Sequence, residues 1–350
     1  MKLGLIGCSD HWKSYASALP ELPELELVGV CVAAPDESLA HFEGAPGVHP
    51  STRRFESPAA LLAQGGMDAV QVSTRADLIG TWVIAALEQG VPALAEKPIA
   101  FSLEEVAKVH EVAQRTGVPV SAMHGQRATP LVAAVHDVVK RGQIGTPLLA
   151  HNQKSYRWGS ARPHAYKDRT TFPGTAAWIG IHVFDWLLWI LGDRFESVSA
   201  SGSNTAHPDY PAVESHSGYL LKLSGNATAT VTVDYLRPAA APTHGDERIR
   251  IAGTDGVVEI STGYGTGTLI DAAGVHELKG AEPRAWFAEF LRRAVLKQEP
   301  AGEPIHPQWE IFRATEVALK AQAALDTGQS VSLLHSPYTP PSRATSRATG

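Results

Sequence analysis

Cysteine is scarce in this sequence: only Cys8 and Cys31 occur in 350 residues. Neither cysteine stands in a spacing typical of metal ligands, so the sequence predicts no metal site and a reduced, cytoplasmic protein. No apolar run approaches the length of about 18 residues that a membrane span needs. The first residues turn polar at Ser9, so we expect no signal peptide. The sequence therefore predicts a protein without a membrane partner.

Positive charge is in short supply as well. Lys and Arg number 30 against 36 Asp and Glu, which gives a net charge of −6. A weakly acidic chain is poorly suited to bind a phosphate backbone, so we expect no nucleic-acid partner. Hydrophobic residues make up 44% of the chain, enough for a sizeable core.

Two different patterns of strands and helices divide the chain. Up to about residue 125, short apolar strand segments alternate with helical segments, a pattern typical of parallel βαβ units in a doubly wound sheet. From 195 to 280, alternating β-branched segments between Gly and Pro turns predict an antiparallel sheet. We therefore expect an α/β domain over 1–125 and an α+β domain over 126–335. The Ser-, Thr-, Pro- and Arg-rich tail over 336–350 is expected to be disordered.

Several helices carry their own start and stop signals. Ser102 and Glu105 form a capping box, and Gly117 follows that helix as a C-cap. One strongly apolar helix is predicted over 176–191. A later helix is predicted from Pro283 to Lys297, with the proline at its first position.

The turn after the first predicted strand, Gly7-Cys8-Ser9-Asp10-His11-Trp12, is the first candidate site. A dinucleotide fingerprint has glycine at the first, third and sixth of these positions, for the tight turn, the approach of pyrophosphate and helix packing. Only Gly7 fits, although the amide of Ser9 can still face a phosphate. No acid ends the second strand to bind a ribose hydroxyl, and Asp36 is the nearest carboxylate. On these residues alone, cofactor binding and a plain strand–turn–helix both stay open.

Two further motifs carry titratable groups. Glu96-Lys97-Pro98 directly follows an apolar strand, which puts Lys97 at the edge where open α/β sheets bind ligands. A solvated loop lysine is the alternative. In the apolar helix, Trp178, His182 and Asp185 share a stripe. Imidazole titrates near neutral pH and suits the transfer of a hydroxyl proton, whereas a buried His–Asp hydrogen bond is the alternative.

Together these motifs resemble those of the Gfo/Idh/MocA oxidoreductases. The resemblance rests on Glu96-Lys97-Pro98, on Gly174-Thr175 and on Gly180-x-His182-x-x-Asp185. Supporting matches that extend it over about residues 1–335 are Phe55–Leu62, Met67–Val70, Ala86–Pro92 and Gly142–Gly145. It implies a Rossmann domain followed by an α+β domain with a large open antiparallel sheet. It also implies NAD(P)-linked oxidation or reduction of sugars, polyols or related compounds.

The resemblance also implies roles for the candidate residues. Lys97 would hydrogen-bond the substrate oxygen and reach the cofactor, and His182 would be the general acid and base. The candidates for binding NAD or NADP are Gly7, Cys8, Ser9, Asp10, His11, Trp12, Ser73, Thr74, Glu96 and Lys97. The candidates for binding a sugar-like substrate are Trp178, Asp185, Tyr156 and Arg169. The last two belong to segments rich in aromatic residues and donors, where a solvated loop is the alternative.

Three positions depart from the family pattern. Trp178 stands where the family usually has Asp, Ser9 and Trp12 stand in place of glycines, and Arg75 and Ile79 replace Pro and His. We predict that the Trp178 indole is a platform for a sugar ring.

The expected activity is that of an NAD(P)-dependent oxidoreductase in which Asp185 helps to orient His182. Two alternatives are an NAD-using glycosidase or lyase of the same fold and a non-catalytic ligand sensor with an eroded cofactor site. An exposed sheet face in the second domain favours a homodimer or homotetramer.

Overall fold

The computed structural model describes residues 1–159, 162–299 and 304–340. The strands are β1 (Lys2–Ile6), β2 (Glu26–Cys31), β3 (Arg53–Phe55), β4 (Ala69–Val72), β5 (Ala93–Ala95), β6 (Val120–Ala122), β7 (Pro147–Arg157), β8 (Phe195–Ser203), β9 (His216–Leu223), β10 (Ala227–Arg237), β11 (Gly245–Gly253), β12 (Gly256–Ser261), β13 (Thr266–Asp271), β14 (Gly274–Glu277) and β15 (Val331–Ser332). The α-helices are α1 (Pro58–Ala63), α2 (Ala76–Glu88), α3 (Leu103–Thr116), α4 (Pro130–Lys140), α5 (Ile181–Leu191), α6 (Trp286–Ala294) and α7 (Gln308–Thr327). Among the helices of these ranges, none combines the length and the apolar character of a membrane span.

The first part of the chain forms a parallel sheet. Within the described residues it has six strands in the order β3-β2-β1-β4-β5-β6, and each neighbouring pair is parallel. Every residue of β4 is buried because helices cover both faces of the sheet. This confirms the predicted doubly wound fold. The carboxyl ends of β1, β4 and β5 lie at one edge, which brings Gly7, Ser73 and Glu96 together.

The second sheet is mixed but mostly antiparallel. In the described part of the chain its order is β14-β13-β12-β11-β7-β10-β9-β8-β15. The single parallel neighbours in that order are β7 and β10, because β7 inserts between β10 and β11. The antiparallel sheet is thus confirmed with one parallel pair added. The glycine-rich segment before β13 hid that strand and β14 from a prediction based on alternating residues.

The helices after residue 285 contact both sheets. Phe287 and Leu291 of α6 pack in a core with Tyr15, beside β1. Helix α7 contributes Phe312 to the core of the parallel sheet and Val317 to the core of the second sheet. Helices α6 and α7 thus bring part of 126–335 into the cores beside the parallel sheet, and the limits 1–125 and 126–335 stay a prediction.

Two terminal predictions are corrected. Helix α6 begins at Trp286 and not at Pro283, because Ala285 has a non-helical backbone with φ −79° and ψ 67°. The chain beyond residue 335 is ordered as far as it is described, since Tyr338 is 4% exposed and stacks on Phe312 with ring centroids 5.6 Å apart. Residues 341–350 of the expected tail lie outside the described residues. The caps predicted for α3 are confirmed: Ser102 accepts a hydrogen bond from the Glu105 amide, and Gly117 is left-handed.

Candidate active site

A cleft of about 400 Å³ lies at the carboxyl edge of the parallel sheet. One wall comes from the turns after β1 and β2, and the other from the loop before α5. The lining residues include Cys8, Ser9, Asp10, Asp36, Glu37, His41, Arg75, Tyr166, Phe172 and Trp178. The cleft therefore lies where open α/β sheets bind their ligands.

The turn after β1 has the first glycine of a dinucleotide site but not the others. Gly7 has a φ of +82°, and a Cβ there would collide with the Ser73 carbonyl, so only glycine fits. The Ser9 amide donates a hydrogen bond to that same carbonyl at 2.9 Å. It therefore faces the sheet, whereas the sequence predicted that it could face a phosphate. Trp12 is buried edge-on against Phe42 and belongs to the core, because the short helix it starts turns its ring inward.

Glu37 supplies an acid beside β2 that the sequence analysis missed. Its Oε1 accepts a hydrogen bond from the Ser9 hydroxyl at 2.9 Å. Its Oε2 accepts bonds from the amides of Ala33 at 2.7 Å and Ala34 at 3.2 Å. The chain turns back at Pro35 and carries the carboxylate to the cleft, where a Rossmann fold holds ribose hydroxyls. In the sequence Glu37 directly follows Asp36, the nearest carboxylate after the strand.

Glu96 connects the first turn to the lysine motif. It is completely buried, and its Oε2 accepts hydrogen bonds from the amide and from Nδ1 of His11, at 3.2 and 2.8 Å. Its Oε1 accepts from the amide of Lys97 at 3.0 Å. Burial alone would raise the pKa of Glu96, but the charges of His11 and Lys97 and these hydrogen bonds lower it to about 2. Glu96 is therefore a fixed anion beneath the cleft.

Asp10 is the least usual residue of the first turn. It adopts a left-handed backbone with a φ of +49° and lines the cleft. Its side chain is exposed at the mouth of the cleft, so desolvation is weaker there than at Glu96; desolvation and the charge of Glu96 raise the pKa of Asp10, whereas Lys97 and His11 oppose this.

Lys97 is not a solvated loop lysine. It is 2% exposed, and its Nζ donates a hydrogen bond to the Trp178 carbonyl at 3.0 Å. The same Nζ lies 3.7 Å from the centroid of the Trp178 ring and 3.6 Å from Oε1 of Glu96. Burial lowers the pKa of Lys97, while the charges of Glu96 and Asp10 act against this.

His182 lies one turn after Trp178, across a π-helical turn (Ala176–Gly180) that precedes α5. The imidazole is 5% exposed. Burial lowers its pKa well below the usual value, and the charges of Lys154 and Lys97 lower it further. The ring is therefore neutral at physiological pH. Its Nδ1 is buried and has no hydrogen-bond partner among the described residues.

Lys154, a second buried lysine, was also missed. It lies on β7 and its Nζ pairs with Oε1 of Glu247 at 2.5 Å. Glu247 has a lowered pKa because the charge and hydrogen bond of Lys154 outweigh its burial. The alternation of buried and exposed residues along β7 could have indicated Lys154, because Asn152 and Lys154, two positions apart, both face the buried side.

Asp185 does not orient His182 through a direct hydrogen bond. Its Oδ1 lies 2.7 Å from Nδ1 of His124, and both of its oxygens accept hydrogen bonds from Arg127, at 2.6 and 2.9 Å. Burial would raise the pKa of Asp185, but Arg127 and His124 lower it. The carboxylate of Asp185 is thus engaged by Arg127 and His124 and not by His182.

Three other candidate residues contact neighbouring side chains. Tyr156 lies beside Lys154, with Nζ 4.6 Å from its ring centroid, and so belongs to the surroundings of His182. Arg169 pairs with Asp326 of α7 at 2.5 Å and with Glu214 at 3.5 Å, so its charge is already neutralised. Ser73 accepts a hydrogen bond from Gln71 at 2.9 Å.

These residues fit a dinucleotide cofactor. The Gly7 turn packs its backbone tightly on Ser73 at the carboxyl edge, Glu37 presents a carboxylate for ribose, and the side chain of Thr74 has a buried hydroxyl without a partner in the described chain. Lys97 and His182 are buried behind the cleft lining, 2% and 5% exposed, and Lys97 contacts Trp178 of that lining. A site of this kind at the carboxyl edge of a parallel sheet is typical of NAD(P)-dependent oxidoreductases.

Comparison with known proteins agrees with this class. Residues 1–124 match the family model described as oxidoreductase family, NAD-binding Rossmann fold, and residues 132–259 match the GFO/IDH/MocA C-terminal domain. The structure of a putative oxidoreductase from Thermotoga maritima is 33% identical, with a TM-score of 0.87 over 95% of this chain and 100% of that one. The chain belongs to the Gfo/Idh/MocA family of oxidoreductases, which confirms the resemblance, the fold, the enzyme class and the cofactor.

Several relatives have named activities. A D-apiose dehydrogenase from Paraburkholderia graminis is 25% identical over 266 residues, 75% of this chain and 68% of that protein. Inositol 2-dehydrogenase 1 from Saccharopolyspora erythraea is 27% identical over 282 residues, 78% of this chain and 79% of that protein. Levoglucosan dehydrogenase in complex with NADH shares the fold, with a TM-score of 0.80 at 15% identity over 95% of this chain and 99% of that one.

Proposed function

We propose that this enzyme oxidises a secondary hydroxyl of a sugar or polyol, or reduces the corresponding carbonyl. The proposal is supported by relatives named for D-apiose and inositol. The observation that carries it is the Lys97 ammonium, buried against Trp178 one helical turn before a neutral His182. A buried cation and a neutral base beside the cleft match the two demands of hydroxyl oxidation, which are charge stabilisation and proton removal.

In the proposed mechanism, each residue acts on the substrate hydroxyl. Bound NAD supplies the hydride chemistry at the reacting carbon. Lys97 donates a hydrogen bond to the substrate oxygen and stabilises the negative charge that develops there, an effect strengthened by its dry surroundings. His182 takes the hydroxyl proton as general base and returns it when the enzyme works in the direction of reduction.

Trp178 is proposed to be the substrate platform. Its indole lines the cleft, and Tyr166 and Phe172 hold it from the side at ring distances of 5.9 and 6.1 Å. An indole cannot relay protons as the carboxylate usual at this position does, but its flat face can pack against the C–H groups of a sugar ring. His182 then works without a carboxylate at position 178.

The test measures NAD-dependent turnover on a panel that contains D-apiose and the inositols. We expect Lys97→Ala and His182→Ala each to lower turnover by about 100-fold or more. His182→Ala should still bind NADH, as measured by nucleotide fluorescence. Exposed Lys108 and His49 supply matched control variants, Lys108→Ala and His49→Ala, which should keep wild-type turnover. Near-normal turnover by His182→Ala would contradict the proposed role.

The two alternative functions are supported by nothing comparable. The curated relatives considered above are dehydrogenases, which does not favour a glycosidase, a lyase or a sensor. NADH binding without turnover on any polyol or sugar would support the sensor instead. Release of a leaving group with no net change in NADH absorbance would support the glycosidase or lyase.

The assembly, the location and the domain limits are further parts of the proposal. The outer face of the second sheet carries Leu149 and Leu220, both exposed, and a shallow groove of about 510 Å³ lined by His151 and Gln153. We propose that a second copy covers this face in a homodimer or homotetramer, which light scattering on the purified protein tests. The unpaired thiols of Cys8 and Cys31 support a cytoplasmic location. The proposed domains are 1–125 and 126–335, with α6 and α7 shared between them.

A further inference from the structure

Two buried histidine nitrogens beside the proposed active site have no hydrogen-bond partner in the described chain: Nδ1 of His182 and Nε2 of His124. The two rings are neighbours, with centroids 6.4 Å apart and planes at 72°. Burying a polar atom without a partner is costly, and native proteins usually satisfy such atoms with an ordered water molecule. Two orphaned nitrogens on adjacent rings therefore have a common explanation.

The other side of His124 determines where its hydrogen lies. Nδ1 of His124 is 2.7 Å from Oδ1 of Asp185, and Arg127 holds that carboxylate through two hydrogen bonds. Arg127 keeps Asp185 ionised, so the carboxylate can only accept, and Nδ1 of His124 must carry the hydrogen. In an imidazole with a single N–H group, Nε2 of His124 is then an acceptor.

We propose that His124 is a positioning residue for His182, through one water molecule that accepts from Nδ1–H of His182 and donates to Nε2 of His124. The inference rests on the function proposed above. The chain of hydrogen bonds runs from His182 through the water and His124 to Asp185. It keeps the hydrogen of neutral His182 on Nδ1, so Nε2 of His182 is the bare nitrogen that takes the substrate proton. Protonated His182 then donates along the same chain.

The charges around His182 give this chain a second effect. Lys97 from the loop after β5 and Lys154 from β7 both oppose protonation of the imidazole, and His124 and His11 add to them when they are charged. Asp185 is the anion at the other end of the hydrogen-bonded chain. The chain therefore offsets part of the positive field when His182 accepts a proton.

Neighbouring residues hold His124 rigidly enough for this role. Nε2 of His306 lies 2.9 Å from the His124 carbonyl, and burial lowers the pKa of His306 to about 3, so its neutral ring donates this bond. Arg127 also donates to the carbonyl of Ile305 at 3.0 Å, which ties the cluster to the segment before α7. All of these side chains are completely or almost completely buried.

The first test uses the unmodified protein without any substrate. Imidazole ¹⁵N shifts at pH 7.5 report which nitrogen carries hydrogen, and the His182 signal is identified by its loss in His182→Asn. We expect hydrogen on Nδ1 of both His182 and His124. A His182 signal with hydrogen on Nε2 overturns the inference, whether or not the enzyme turns over a sugar.

The second test separates positioning from packing. His124→Phe removes both ring nitrogens, and the pKa of His182 should fall in this variant. His124→Gln keeps an acceptor, so the pKa of His182 should lie between the values of His124→Phe and the unmodified protein. Turnover should fall by about tenfold or more in His124→Phe, with KM and NADH affinity changed by less than about threefold. His110→Phe is the matched control, because the ring of His110 packs on Phe312 and Tyr338 and not on His182 or His124.

The outcomes distinguish this inference from the proposed function. A wild-type pKa of His182 in both His124 variants overturns the positioning role even if turnover falls. A shifted pKa together with absent turnover on every polyol supports the hydrogen-bonded chain and contradicts the proposed activity. If neither His124 variant folds, the ¹⁵N result on the unmodified protein decides the question.

Discussion

The indole of Trp178 covers the ammonium group of Lys97, with Nζ 3.7 Å from the ring centroid, while the carbonyl of the same tryptophan accepts a hydrogen bond from that Nζ at 3.0 Å. One residue thus holds the lysine from two directions. A Lys97 ammonium desolvated in this way keeps a lowered pKa and a fixed position, which an exposed lysine would not have.

This contact predicts different outcomes for two Trp178 substitutions. Trp178→Phe keeps an aromatic face over Lys97 and should retain most substrate affinity. Trp178→Ala should lose that affinity and make Lys97 accessible to reductive methylation, measured by mass spectrometry of the modified protein. If Trp178→Ala instead lowers the melting temperature by several degrees while affinity and Lys97 labelling stay unchanged, Trp178 serves only in packing.

Glu37 predicts a preference between the two nicotinamide cofactors. The missing acid at the end of β2 left no basis for preferring NAD or NADP. In the structure, the carboxylate of Glu37 beside Ser9 would accept a hydrogen bond from a ribose hydroxyl and repel a 2′-phosphate. We expect NADH to bind at least about tenfold more tightly than NADPH, equivalent to about 1.4 kcal/mol.

Fluorescence titration of Glu37→Gln checks this preference. The neutral amide should narrow the ratio of the two dissociation constants, chiefly by improving NADPH binding. Glu43→Gln, outside the cleft lining, is the control. Equal affinity of the unmodified enzyme for both cofactors would remove the basis of the prediction.

Asp10 predicts that cofactor binding depends on pH. Desolvation and the charge of Glu96 raise its pKa, so more of Asp10 is neutral at pH 5 than in an ordinary aspartate, and it is charged at pH 7.5. A charge in the first turn repels the pyrophosphate, and NADH affinity should therefore weaken as pH rises from 5 to 7.5. Asp10→Asn should abolish this dependence at little structural cost, since asparagine tolerates a left-handed backbone. Calorimetric titration at both pH values measures it, and an unchanged slope in the variant would disprove the assignment.

His306 predicts how stability changes with pH. Burial lowers its folded pKa to about 3, below the value near 6.5 of an unfolded histidine. The unfolded chain therefore binds a proton first, so stability is full above about pH 6.5 and falls as pH drops toward 3, by up to about 1.4 kcal/mol per pH unit.

Urea unfolding at several pH values between 7 and 5 measures this loss. The window lies above the range in which ordinary carboxylates protonate. His306→Gln should reduce the slope by about one proton, whereas His49→Gln, at an exposed histidine outside the second sheet, should leave it unchanged. An equal slope in both variants would show that His306 is not buried in its neutral form.

Local sequence signals identified the parts of the site that depend on neighbours along the chain. Gly7 follows its strand directly, Lys97 follows β5 directly, and His182 lies on a helix whose apolar spacing is regular. Parallel strands alternating with helices then determine the edge at which the first two residues meet. The family motif added the pairing of Lys97 with His182.

Contacts between distant segments could not be read in the same way. Helical spacing placed Asp185 one turn from His182, but Arg127, 58 residues earlier, binds the carboxylate more strongly than a neutral imidazole could. His124 and Lys154 gain their importance only where the two sheets meet. Trp12 stands in a cofactor motif, yet its ring packs in the core. The spacing of residues in the motif does not determine which of these two environments the ring occupies.

Helix α7 limits how the cleft can work. Its first turns pack with the parallel sheet through Ile311 and Phe312, and its later turns pack with the second sheet through Val317 and Ala321. Moving the two sheets apart would expose one of these apolar faces of α7 to water, which is unfavourable. Entry of substrate and cofactor therefore depends on side chains and loops at the rim of the cleft, and heat should melt both sheets in a single cooperative event.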